Sequence, residues 1–166
     1  MIRTGEPEDA EAVARVHVET WQAAYAHALP RDRLLSLSVE RRAESWRRFP
    51  PFVAEVDGEI VGFVSVGAGR DEGTDGELYA IYVHPDHWGT GVGRALIEFG
   101  EERLRELGHE EALLWVLEDN PRARGFYEAA GWSTDGTTRP IEIFGAEVPE
   151  IRYTKTLQAA SKARSR

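Results

Sequence analysis

The 166-residue chain contains no cysteine, which excludes disulfides, thiolate metal sites and a cysteine nucleophile. It also has no apolar run long enough to span a membrane and no secretory-type apolar segment after Met1. We therefore expect a cytoplasmic protein without a membrane partner. The net charge is −9 and the cationic residues are scattered. Because a nucleic-acid-binding protein needs a basic face, we do not expect a nucleic-acid partner.

An apolar content of 42% over this length is typical of one compact domain with a substantial core. We expect a single domain over residues 1–157. The last nine residues, 158–166, are rich in Ala, Ser, Lys and Arg, which predicts a flexible basic tail.

Hydrophobic patterns and turn signals predict a mixed α/β fold. We expect a short strand at Ile2, a helix opened by Pro7, a second helix over 31–48, and strands at 52–56 and 59–66. Asp57-Gly58 between those two strands is a strong hairpin signal. Further strands are expected at 78–83, 112–117 and 147–157, with another beginning at Trp132. Helices follow the first two of these. Because strands and helices alternate only in part, the sheet should be mixed.

The segment 78–96 is the most informative part of the chain. Its apolar strand is stopped by Pro85, and glycines then follow at every second position (Gly89, Gly91 and Gly93) before an amphipathic helix. Glycines at a helix start let backbone N–H groups approach an anion, and the helix dipole adds positive potential. The pattern indicates a phosphate-binding loop.

Two familiar phosphate-binding patterns fit this loop poorly. A P-loop requires Gly-Lys-Ser/Thr, but the third glycine here precedes Arg94. A dinucleotide-binding fold could use Glu118 or Asp119 as its ribose-binding acid, but the third glycine of its fingerprint should occupy position 94. We therefore keep a dinucleotide fold only as a weaker alternative.

Two motifs make the chain resemble the GNAT superfamily of acyl-CoA-dependent N-acetyltransferases. The first is Val83-His84-Pro85 followed by the glycine loop, in which Trp88 replaces the usual Arg or Gln. The second motif is Asn-x-x-Ala-x-x-Phe-Tyr-x-x-x-Gly-Phe, and residues 120–132 resemble it, with Trp132 in place of the last Phe. The matching residues are Asn120, Ala123, Phe126, Tyr127 and Gly131. The resemblance covers about the whole of residues 2–157.

This resemblance implies a mixed central sheet of about seven strands and about four helices, splayed between the central strand and the next. It also implies acetyl-CoA as the acyl donor, and often a homodimer. The residues that would bind the cofactor are Ile81, Tyr82, Val83, Trp88, Gly89, Thr90, Gly91, Val92, Gly93, Arg94, Asn120, Ala123 and Phe126.

The resemblance also implies catalytic roles. Without cysteine there is no acetyl-cysteine intermediate, so we expect direct attack of an amine in a ternary complex. Tyr127 would protonate the departing thiolate. Glu77 matches the base of the histone-acetyltransferase branch, while another branch's base glutamate falls on Trp115. The alternatives are a strand-edge carboxylate for Glu77, a core aromatic for Tyr127 and a helix N-cap for Asn120.

The acceptor is expected to be the primary amine of a small molecule or peptide. Its pocket could be lined by Trp21, Tyr25, Tyr79 and Trp115, although core packing is the favoured interpretation for each of them taken alone. An acidic protein favours a cationic acceptor on encounter. The histidines lack metal-ligand spacing, so no metal is expected. The other function class that fits is a non-catalytic CoA-binding sensor.

Overall fold

The computed structural model describes residues 1–27 and 29–157, so the predicted tail at 158–166 lies outside the described residues. The strands are β1 (Ile2–Thr4), β2 (Phe52–Val56), β3 (Glu59–Ala68), β4 (Gly76–Val83), β5 (Glu111–Leu117), β6 (Ser133–Ile143) and β7 (Ala146–Thr156). The helices are α1 (Ala10–Ala24), α2 (Arg31–Leu35), α3 (Val39–Arg48), α4 (Val92–Glu106) and α5 (Pro121–Ala129), with 3-10 turns at Pro7–Asp9 and Pro85–His87.

The seven strands form one mixed sheet in the order β1-β2-β3-β4-β5-β7-β6. β4 and β5 pair in parallel through Gly76↔Ala112 and Glu77↔Leu113. β5 with β7 and β6 with β7 are antiparallel. The predicted mixed α/β fold of about seven strands is confirmed, with five α-helices in the described chain instead of about four.

The prediction of a single helix over 31–48 was wrong, because the chain forms two helices, α2 and α3, with a break at 36–38. Ser38 causes the break: its hydroxyl accepts a hydrogen bond from the backbone N–H of Arg41 at 3.2 Å and so caps α3. The predicted hairpin is confirmed. Asp57 and Gly58 have φ values of 53° and 80°, as a type I′ turn requires.

The chain divides into two compact units. Unit 1 comprises Met1–Ser65 and Ala80–Phe99. Its core places Val13 and Val16 of α1 against Val53 and Phe63 of the sheet, with Trp46 and Tyr82 packed around them. His17 joins this core, where its ring stacks on Tyr82 at 4.7 Å and accepts a hydrogen bond from Trp46 Nε1 at 3.3 Å. His17 is thus a packing residue.

Burial makes His17 a source of acid sensitivity. Burial lowers the pKa of His17 from 6.5 to about 3, and the nearby positive charge of Arg42 acts in the same direction. Between these two pKa values, the unfolded chain binds a proton at His17 that the native protein does not bind. The stabilisation that comes from neutral His17 is therefore complete above about pH 6.5. It is lost progressively as pH falls toward 3.

We expect the free energy of unfolding to fall by about 2 kcal/mol between pH 6.5 and 5 through His17 alone. Urea denaturation at a series of pH values measures this loss. His17→Phe keeps an aromatic ring and should flatten the pH dependence in that window, even though Trp46 loses its hydrogen-bond acceptor. An unchanged slope in His17→Phe would show that other groups cause the acid sensitivity.

Unit 2 comprises Val66–Tyr79 and the chain from Gly100 onward. Its largest fully buried side chains include Trp132 and Tyr153. Glu101 is 4% exposed, and its carboxylate accepts hydrogen bonds from Trp132 Nε1 at 3.0 Å and Lys155 Nζ at 2.9 Å. A buried charge is tolerated here because it is paired and hydrogen-bonded. Among the helices of the described residues, none is long and apolar enough to cross a membrane.

Candidate active site

The glycine loop of unit 1 has the geometry of an anion cradle. Gly89 and Gly91 have φ values of 75° and 93°, a conformation that side chains with a Cβ rarely adopt. A Cβ added to either would meet no heavy atom within 4 Å, so the space beside this backbone is open. The carbonyl of Gly91 accepts the first helical bond from Ala95 N–H at 3.1 Å, and Gly93 lies in the first turn of α4. These features fit a pyrophosphate group at a helix N-terminus.

Trp88 occupies the position where the GNAT motif has Arg or Gln, and its side chain forms a hydrogen bond within the protein. Its indole Nε1 donates a hydrogen bond to the carbonyl of Val83 at 2.7 Å, and the Thr20 hydroxyl donates to the same oxygen at 3.3 Å. Thr90 in turn donates to the carbonyl of His87 at 2.6 Å. The Trp88 side chain therefore fixes the exit from β4, and its only N–H is used within the protein.

The other predicted site residues of unit 1 form an aromatic group. Trp21 Nε1 donates to the hydroxyl of Tyr82 at 3.0 Å, and the rings of Trp21 and Tyr25 lie 4.7 Å apart. Tyr25 is only 5% exposed, and Ile81 is also buried. The structure thus brings Trp21 and Tyr25 together, although Tyr25 is a core aromatic rather than an open pocket wall. Arg94 forms an exposed ion pair with Glu98 at 2.9 Å.

Glu77 lies at the start of β4 in unit 2 and is 1% exposed. One carboxylate oxygen accepts the backbone N–H of Arg70 at 2.9 Å, and the other accepts the Arg70 guanidinium at 2.6 Å. The same guanidinium lies 4.8 Å from the centre of the Tyr79 ring, and the Tyr79 hydroxyl donates to the carbonyl of Ala68. Burial raises the pKa of Tyr79. Glu77 therefore anchors the loop before β4 through Arg70.

Trp115 lies on β5, also in unit 2, close to two arginines. The guanidinium carbon of Arg139 is 4.0 Å from the centre of its rings and that of Arg152 is 5.9 Å away. Trp115 Nε1 is buried, and it is the one buried side-chain nitrogen or oxygen in the described chain that has no hydrogen-bond partner. Sequence reasoning missed both arginines and Arg70, since pairing between distant strands leaves no local signal.

The second motif lies on α5. The side-chain oxygen of Asn120 accepts the backbone N–H of Ala123 at 3.1 Å, which makes Asn120 the helix N-cap. Tyr127 is 7% exposed, with its ring 5.5 Å from Phe126 and 6.2 Å from Tyr153. Both local alternatives from the sequence, a cap for Asn120 and a packed aromatic for Tyr127, are therefore present, and neither excludes contact with a ligand.

A separate groove of about 540 Å³ in unit 1 contains none of the predicted site residues. It lies between α1, the β2–β3 hairpin and the turn after β4, where His84 Nε2 pairs with Glu19 at 2.7 Å. Within residues 1–27 and 29–157, no group of three or more His, Asp or Glu side chains could hold a metal ion.

Comparison with known proteins agrees with the two sequence motifs. The profile of the Acetyltransferase (GNAT) family matches residues 10–132. An uncharacterised N-acetyltransferase of Bacillus subtilis is 38% identical over 157 residues, covering 90% of this chain and 89% of that protein. A GCN5-related N-acetyltransferase from Rhodopseudomonas palustris superimposes with a TM-score of 0.76 at 25% identity over 95% of both chains.

A third relative shares the fold. The PaiA N-acetyltransferase of Thermoplasma acidophilum, solved in complex with coenzyme A, has a TM-score of 0.71 at 20% identity, covering 94% of this chain and 98% of that one. The family profile covers well over half of the sequence, and the relatives are N-acetyltransferases. The chain therefore belongs to the GNAT family of acetyltransferases.

Proposed function

We propose that this protein transfers an acetyl group from acetyl-CoA to a primary amine of a small molecule or peptide. The observation that carries the proposal is the open glycine backbone at the start of α4, where Gly89 and Gly91 leave room for a pyrophosphate. The solved relative from Thermoplasma acidophilum supports the cofactor, because it was determined with coenzyme A.

In this proposal, residues 89–94 hold the pyrophosphate through backbone N–H groups. The predicted contact from Trp88 is left out, because its backbone N–H already donates to the carbonyl of Pro85 at 3.2 Å. The backbone of Ile81, Tyr82 and Val83 pairs with the pantetheine amides, and an N–H at this end of β4 stabilises the oxyanion as the thioester is attacked. Asn120, Ala123 and Phe126 of the second motif contact the pantetheine arm.

Two side chains move protons in the proposed reaction. A free alkyl amine has a pKa of about 10.4, so it must lose a proton before it attacks the thioester. Glu77 takes that proton directly or through a water, and the Tyr127 hydroxyl protonates the departing thiolate. With no cysteine in the sequence, the amine attacks acetyl-CoA directly.

A CoA-binding module without catalysis is the second candidate, and the state of Glu77 favours it. Both oxygens of this buried carboxylate are bonded to Arg70, as in a purely structural ion pair.

Release of the CoA thiol, measured with and without a pool of amines, separates the two functions. We expect amine-dependent thiol release. Stabilisation by acetyl-CoA without any release would support the binding module, and stabilisation by NAD alone would indicate a dinucleotide fold.

The role of Glu77 is tested by Glu77→Gln, which keeps the shape of the side chain but removes its basicity. If Glu77 is the base, kcat should fall by about 10²–10⁴-fold, and the mutant should lose the acid limb of the pH–rate profile. If its charge only attracts a cationic acceptor, kcat stays normal and KM rises in a salt-sensitive way.

Arg70→Gln is the matched control, because it breaks the same ion pair from the other side and leaves the carboxylate in place. A base role predicts that Arg70→Gln retains far more activity than Glu77→Gln. Equal losses in both variants, with lowered melting temperatures, would show that the pair only anchors the loop before β4.

A further inference from the structure

The indole of Trp115 presents an unsatisfied donor that the fold does not explain. Its Nε1 is buried without a hydrogen-bond partner among the described residues, whereas buried donors are nearly always paired. An unpaired buried N–H is energetically costly, so a group from outside the chain that accepts a hydrogen bond would be bound favourably there.

The charges around this indole restrict what that group can be. Arg139 and Arg152 both flank the ring, at 4.0 and 5.9 Å from its centre. Arg152 lies beside Trp115 because the two are register partners on β7 and β5. An N–H donor beside two guanidiniums is best satisfied by an anion, and carboxylate is an anion that arginine often binds in a bidentate manner.

Acidic side chains hold both arginines in place without using all their donors. Arg139 Nε donates to Glu150 at 3.0 Å, and its Nη1 lies 3.6 Å from Asp71. Arg152 donates to Asp135 through Nε at 2.8 Å and to Thr137 through Nη2 at 3.2 Å. A guanidinium has five N–H donors. Among the hydrogen bonds of the described residues, Arg139 Nη2 and Arg152 Nη1 are not used.

Trp115 lies on the same face of the sheet as the proposed base. Glu77 is in register with Leu113 on β5, and Trp115 is two residues further along the same strand. Residues two apart share a face and lie about 7 Å apart along a strand, so Glu77 and Trp115 point to the same side of the sheet. An amine near Glu77 could therefore belong to a molecule whose carboxylate reaches Trp115.

We propose that the acceptor is an amine that carries a carboxylate close to its amino group, as an amino acid does. Trp115 Nε1 and the guanidiniums of Arg139 and Arg152 recognise the carboxylate, and these residues determine acceptor specificity. The inference rests on the proposed acetyltransferase function. The net charge of the protein led us to expect a cationic acceptor, and an amino acid still meets that expectation in part. Its amino group keeps the positive charge that an acidic protein attracts.

The test compares amino acids with the amines formed by removing only their carboxylate, using acetyl-CoA and the wild-type enzyme. Each pair has the same side chain, so the ratio of kcat/KM within a pair isolates the carboxylate. We expect the amino acid of the preferred pair to be acetylated at least about tenfold more efficiently. Equal or better acetylation of the decarboxylated amines would overturn the inference but leave the acetyltransferase function intact. Acetylation of neither class would also overturn the inference, and release of the CoA thiol with peptide amines would then show that the acetyltransferase function still stands.

Variants locate the effect. Trp115→Phe keeps an aromatic ring but removes the N–H, and Arg139→Gln removes the guanidinium over it; each should reduce the within-pair ratio by about 10-fold or more. Arg103→Gln is the control for lost positive charge, because Arg103 is a partly exposed residue of α4 paired with Glu106. Ratios unchanged in Trp115→Phe and Arg139→Gln would contradict recognition by these residues, even if the wild type prefers amino acids.

Discussion

Tyr127→Phe is expected to lower kcat by about 10²–10⁴-fold while leaving acetyl-CoA affinity nearly unchanged. The substitution keeps the ring, which is 7% exposed and packed beside Phe126 and Tyr153, and removes only the hydroxyl. If that hydroxyl protonates the departing thiolate, the loss appears in turnover and not in cofactor binding. Steady-state kinetics with a saturating acceptor, together with the acetyl-CoA-induced thermal shift, measures the two effects separately.

Tyr153→Phe provides a matched control. Tyr153 is fully buried, and its hydroxyl donates to Glu128 at 2.7 Å and accepts from Arg124 at 3.0 Å. Removing this hydroxyl should reduce stability, because it breaks two hydrogen bonds, but it should not reduce kcat selectively. If Tyr127→Phe turned over as fast as the wild type, Tyr127 would be a packing residue and the proton would reach the thiolate from elsewhere.

Gly91→Val is expected to abolish most of the stabilisation that acetyl-CoA gives to the wild-type protein. Gly91 has a φ of 93°, so valine is strained there, at a typical cost of about 1–3 kcal/mol. The added side chain would also fill the open space in which the backbone is proposed to approach the pyrophosphate. The acetyl-CoA-induced rise in melting temperature measures the loss.

Gly58→Val separates strain from ligand binding. Gly58 has a φ of 80° and, like Gly91, no heavy atom within 4 Å of an added Cβ, but it lies in the β2–β3 turn. Both variants should melt at lower temperatures than the wild type, whereas only Gly91→Val should lose its response to acetyl-CoA. A normal thermal shift in Gly91→Val would mean that this loop does not hold the cofactor.

Features set by neighbouring residues could be predicted from the sequence. The hairpin at Asp57-Gly58 and the cap at Asn120-Pro121 follow from backbone preferences of a few residues. The break in the predicted second helix was missed because the apolar residues Leu35 and Val39, four apart, continue a helical spacing through it. In the structure, the hydroxyl of Ser38 outweighs that pattern by capping a new helix.

Contacts between distant strands could not be predicted in the same way. Glu77 was identified as a candidate base, but its partner Arg70 lies in a loop whose path depends on the finished sheet. Arg139 reaches Trp115 only because β7 pairs with both β5 and β6. The role of Trp88 was equally hidden, since its hydrogen bond to Val83 depends on how the chain turns after β4. Long-range register decides these contacts, and no local pattern records it.

Transfer of an acetyl group from acetyl-CoA to an amine can be followed with a label in that group. The protein would be incubated with acetyl-labelled acetyl-CoA and a pool of amines and amino acids, and the products separated. We predict that label appears in an amide product in an amount equal to the CoA thiol released. If acetyl-CoA bound and stabilised the protein but no label reached any amine, the protein would be a CoA-binding module and not an acetyltransferase.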